Sequence, residues 1–87
     1  MKAAFQYELK KYLRGELLKT RNDQALSQEK MAPFLGISTR ALGRVEDGDS
    51  CPSLVTVLFF CYRFCPEPER LLRDIFSILK KLEKNDT

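Results

Sequence analysis

The 87-residue chain has no histidine, no glycine-rich loop of the kind that cradles phosphate, and no pair of carboxylates in an apolar setting. No base stands beside a serine or cysteine. The usual acid–base and nucleophilic constellations are therefore absent, and no catalytic residue, cofactor or small-molecule substrate is expected. Long apolar runs are also missing. The longest, Leu54 to Tyr62, is interrupted at Thr56 and falls far short of the roughly 20 residues a membrane-spanning helix needs. Met1 to Glu8 lacks the continuous apolar core of a signal peptide, so the expected location is the cytoplasm, with no membrane partner. Cysteine is scarce: Cys51, Cys61 and Cys65. Cys61 and Cys65 stand one helical turn apart and could present two sulfurs on one side, with Cys51 as a third ligand. A fourth ligand is lacking and free cysteine is ordinary in a helix core, so no metal site is expected.

What is present describes one domain spanning residues 1–87. Its 44% hydrophobic content excludes a disordered polypeptide, and the length suits a single helical core. The pattern is helical throughout. Tyr7 to Asn22 places Leu9, Tyr12, Leu13, Leu17 and Thr20 on or beside one face, with Gly15 as a weak interior position costing roughly 1 kcal/mol relative to Ala. After Pro52, Ser53 can cap a helix whose apolar residues run nearly all the way round. Pro66-Glu67-Pro68 then separates it from a last helix over about 68–84.

The most informative stretch is Leu26 to Gly48, in which two short capped helices flank a tight turn. The Ser27 hydroxyl can accept from the first-turn amides of a helix beginning at Gln28, and Met31, Ala32, Phe34 and Leu35 share its apolar face. Pro33 inside that helix lacks an amide, which predicts a bend or 3₁₀ geometry. Gly36 tolerates the left-handed conformation that closes helices. Ser38 is a second cap. Leu42 and Val45, three apart, turn inward and leave Thr39, Arg40, Gly43 and Arg44 facing out. Asp47-Gly48-Asp49-Ser50-Cys51-Pro52 supplies turn residues that end the helix.

Ser27-Gln28 opening one helix, Leu35-Gly36-Ile37-Ser38 in the turn, and Val45-Glu46-Asp47-Gly48 closing the next resemble the XRE/Cro-type helix-turn-helix family, which includes the lambdoid phage repressors. The resemblance covers roughly Leu17 to Cys65, with the helix-turn-helix itself at about 27–47. It implies an all-α, five-helix domain that binds double-stranded DNA as a transcriptional regulator, with its third helix in the major groove. Thr39, Arg40 and Arg44 fall on positions that approach base edges, and Gln28 and Ser38 on positions that touch phosphate. Arg21 and Glu46 match a salt bridge tying the first helix to the end of the recognition helix. A guanidinium can donate two bonds to guanine, which makes Arg40 and Arg44 the expected specificity residues.

Charge qualifies this expectation. Fifteen basic residues against 12 acidic ones give a net charge of +3, which is ordinary for a domain of any function. Glu29, Glu46, Asp47 and Asp49 accompany Lys30, Arg40 and Arg44, and Asp49 stands where relatives often carry a base. Lys30, Lys10, Lys11 and Arg14 are the expected supplementary phosphate contacts, which would make binding salt-dependent. In the last helix, Leu71, Ile75, Ile78 and Leu82 repeat at helical spacing, and Leu72, Phe76 and Leu79 form an adjacent row, wider than one contact needs. Tyr62, Phe64, Leu72, Ile75, Phe76, Leu79 and Leu82 are therefore the expected surface of a homodimer, with the C-terminal helix at its centre. The alternative is a protein-interaction adaptor that keeps this fold but binds DNA weakly or not at all; the acidic cluster and the abundance of large apolar groups motivate it.

Overall fold

The computed structural model describes residues 1–85. Among them the chain is all-helical, with five helices and no strand: α1 (Lys2–Asp23), α2 (Gln28–Met31), α3 (Thr39–Glu46), α4 (Leu54–Phe64) and α5 (Pro68–Asn85). No helix is long and apolar enough to cross a membrane.

Local chemistry sets most of the helix ends. Ser27, Ser38 and Ser53 hold extended backbone, and their hydroxyls accept from the amides of Lys30 (3.1 Å), Ala41 (3.1 Å) and Thr56 (3.2 Å). Each bond satisfies one of the free amides of a first helical turn. Pro33 ends α-helical geometry early: α2 passes directly into a 3₁₀ turn over Ala32–Leu35. That turn closes at Gly36, whose φ of 72° is open to glycine at little cost. α3 ends similarly at Gly48 (φ 82°), where the Asp49 amide donates to the Arg44 carbonyl at 2.9 Å.

α1 begins at Lys2, about a turn and a half before the start its apolar pattern indicates. The extension lies along the far half of α5. The two helices run antiparallel, as the pairing of Tyr12 with Asp74 and of Glu16 with Arg70 requires. Phe5 is half-buried there. A second departure lies between α1 and α2, where Ala25 adopts a left-handed φ of 54°, a conformation with a penalty of about 1 kcal/mol for a residue bearing a Cβ.

The core joins Leu13 and Leu17 of α1, Met31, Ala32 and Leu35 of α2 and its 3₁₀ continuation, Leu42 and Val45 of α3, Phe60 of α4 and Leu71 of α5. Met31, Leu35, Leu42 and Leu71 are wholly enclosed. Truncating any of them to Ala removes their packing and leaves a cavity, at a cost of about 2–5 kcal/mol. Ile75 and Phe64, both expected on an intermolecular surface, pack against this cluster within the chain. The Phe64 ring meets that of Phe34 edge-on at 5.8 Å.

Candidate functional site

α3 is eight residues long and sharply two-sided. Leu42 and Val45 are buried, which fixes its rotation and leaves Thr39, Arg40 and Arg44 exposed on the opposite side. The alternation follows from the 3.6-residue period. Two guanidinium groups one turn apart, joined by a threonine hydroxyl and methyl, make a surface that can donate several hydrogen bonds in parallel to acceptors outside the protein.

Glu46, at the last position of α3, holds this surface in place. It is 5% exposed. Its Oε2 accepts from Arg21 Nε at 2.6 Å, and its Oε1 accepts from Arg21 Nη2 at 2.9 Å and from Gln28 Nε2 at 2.7 Å. The hydrogen bond to Glu46 raises the Arg21 pKa further above its ordinary value, with partial desolvation opposing it. Arg21 Nη1 also donates to the Leu26 carbonyl at 3.1 Å. One carboxylate thus ties α1, the start of α2 and the end of α3 together, and Arg14 Nε adds a bond to the Glu46 main-chain carbonyl. A buried charge is tolerated only when it is paired and hydrogen-bonded in this way.

Several residues sit differently from their sequence-based placement. Gln28, expected at a phosphate, is half-buried with its amide nitrogen engaged by Glu46. Gly43, expected to face outward, is also half-buried, because the start of α2 crosses α3 there. A Cβ on Gly43 would lie 3.6 Å from Gln28 Oε1, an ordinary contact. Arg14, Lys10 and Lys11 gather with Tyr7 around a shallow hollow whose far wall is Gly48, in the loop that follows α3. This brings basic groups of α1 beside a loop carrying the exposed acids Asp47 and Asp49. Ser38 and Lys30 are exposed at the first turns of α3 and α2; the Ser38 hydroxyl caps its own helix.

The Gln28–Glu46 bond had no sequence signal, since 18 residues separate the partners. The same holds for the carboxylate cluster on the other side of α1. There Tyr12 donates to Asp74 Oδ2 at 2.7 Å, while Arg70 bonds Glu16 at 2.7 Å and Asp74 at 3.0 Å. Burial, then the hydrogen bond to Asp74 and the nearby Glu16 charge, push the Tyr12 phenol well above its ordinary pKa.

Cys61 and Cys65 are free thiols in mutual contact. Burial raises both, and the neighbouring Cys61 and Glu16 help push Cys65 up to about 11. Both are therefore protonated at neutral pH, the unreactive form. Among the described residues no group of three or more His, Cys, Asp or Glu side chains could hold a metal ion.

No protein-family model, curated protein or solved structure matches the chain.

Proposed function

We propose that the chain is a sequence-specific double-stranded DNA-binding protein of the XRE/Cro helix-turn-helix type, acting as a transcriptional repressor by occupying a promoter. The observation that carries this reading is the outward face of α3, where Thr39, Arg40 and Arg44 stand exposed on a helix whose rotation is set by Leu42, Val45 and the buried Glu46. In this reading α3 is the recognition helix. Arg40 and Arg44 take guanine O6 and N7, and Thr39 meets a thymine methyl or a base edge. Lys10, Lys11 and Arg14, beside the loop after α3, neutralise flanking phosphate, with Lys30 and the Ser38 end of α3 contributing. Gln28 acts chiefly by bracing Glu46, so its loss weakens all sites alike. The protein works as a homodimer, which presents two recognition helices to two half-sites.

In vitro selection against random duplex DNA tests this, with wild type and the Arg40→Ala/Arg44→Ala double variant at two salt concentrations. The expected result is a salt-sensitive inverted repeat that the double variant fails to enrich. Arg44→Ala alone should cost roughly 1–3 kcal/mol on the preferred site and relax one base position. An absence of enrichment by wild type at low salt rejects DNA recognition and favours the adaptor reading.

A further inference from the structure

The outer face of α4 lies largely outside the contacts of the fold and of the proposed DNA surface; the Phe59 ring rests one edge against Gly36, and Phe34 meets Phe64. Val55, Leu58, Phe59 and Tyr62 stand at positions i, i+3, i+4 and i+7, a single stripe along the helix. Leu54 continues it at one end and Phe34 of the 3₁₀ turn borders it at the other. Their exposures are 73% for Leu54, 61% for Val55, 57% for Leu58, 39% for Phe59, 83% for Tyr62 and 45% for Phe34. Thr56 and Phe60 are buried on the opposite side of the same helix. The only charge on α4 is Arg63, whose guanidinium lies 5.8 Å from the Phe34 ring centre and 5.9 Å from that of Tyr62. It rims the stripe rather than interrupting it.

We infer that this stripe is the surface through which two copies of the chain associate, α4 against α4 about a two-fold axis. At roughly 150–250 Å² for a large side chain, the exposed part of these six residues amounts to about 700 Å². Standard interfaces bury roughly 600–1,000 Å² per partner, so the stripe, if wholly covered, falls within that range. The face of α5 does not. There Leu72 and Phe76 are the large exposed apolar residues, at 52% and 58%, which by the same measure offer only about 200 Å². A stripe without internal charge is also self-complementary. Crossing two copies near Leu58 and Phe59 sets the Val55 end of one against the Tyr62 end of the other and brings no like charges together. Self-association through α4 deepens the two-copy part of the proposed function and does not depend on DNA binding.

The test is the oligomeric state without DNA, by sedimentation equilibrium with circular dichroism as the folding control. Wild type is expected to be a dimer. Leu58→Glu should raise the dimer dissociation constant by at least about a hundredfold, since two like charges then meet in an apolar contact. Leu72→Glu/Phe76→Glu should remain dimeric. If Leu58→Glu fails to fold, Tyr62→Glu at the most exposed position carries the same expectation. A wild type that stays monomeric at high micromolar concentration overturns the inference and leaves the stripe to a helix of another protein. A folded α4 variant that still dimerises, or an α5 variant that becomes monomeric, overturns it in favour of a different face. A monomeric chain that still selects DNA rejects self-association alone; a dimer that selects none rejects only the DNA reading.

Discussion

Two ionic clusters tie α1 to the rest of the chain, built from the same kinds of groups. At the C-terminal half of α1, Arg21 meets Glu46 with Gln28 as a third partner; further back, Arg70 meets Glu16 and Asp74 with Tyr12 as a third partner. Their bond lengths are alike, but Glu46 is 5% exposed whereas the Arg70 side chain is 50% exposed. In the first, losing a partner strands charge where water cannot easily reach it. In the second, the Arg70 guanidinium stands in solvent, so water can take over the bonds it loses. Geometry alone therefore says little about what an ion pair contributes, and burial decides. The buried cluster lies directly beneath the outward face of α3, so the stronger of the two anchors orients the candidate site.

The largest difference between the clusters is expected at Glu46. Glu46→Ala should lower unfolding stability by about 3 kcal/mol, because Arg21 and Gln28 lose their common acceptor. Denaturant titration would read this, and a loss as small as that of an exposed pair would place both clusters in one class. Gly15 lies on α1 between Tyr12 and Glu16 of the exposed cluster, and a Cβ there meets nothing within 4 Å. Gly15→Ala should therefore stabilise the chain by roughly 0.5–1 kcal/mol in the same titration, through helix propensity alone. A smaller effect is expected from Tyr12→Phe, and it should depend on pH. The folded phenol pKa is raised, so the native state keeps a proton that the unfolded chain releases. The stabilisation is complete below the ordinary phenol value near 10 and is lost as pH rises above it. Stability curves of wild type and Tyr12→Phe should accordingly converge on the alkaline side; curves parallel through pH 11 would show that the phenol is not coupled to folding. Arg70→Ala should leave the thermal midpoint within measurement error. A clear drop would mean that the exposed cluster is worth more than its accessibility implies.

Legibility differed in the same way between regions. The three serine caps, the conversion to 3₁₀ at Pro33 and the closure at Gly36 could all be read residue by residue, because each depends on a bond or a torsion spanning three or four positions. The inward rotation of α3 was legible for a similar reason: Leu42 and Val45 are its two large apolar side chains, and they lie three apart. Gln28 and Gly43 were not legible. Whether an amide faces solvent or a neighbouring carboxylate depends on how two helices cross. The outer face of α4 was hidden by its own composition: apolar residues all round the helix leave periodicity without a preferred direction. The early start of α1 had no apolar pattern of its own, since α5 running alongside supplies its partner.

By itself, then, the sequence determined an all-helical chain, the ends of most of its helices and the identity of the side chains on the outer face of α3. All of these follow from caps, glycine torsions and short-range amphipathic spacing, which act before distant segments meet. Helix packing is what adds Gln28 to the expected Arg21–Glu46 pair, turns Phe64 and Ile75 inward, and leaves Val55, Leu58, Phe59 and Tyr62 of α4 outside. Those outcomes depend on which surfaces compete for one small core. Among the described residues nine fill it, and apolar groups in excess of what it can enclose remain at the surface.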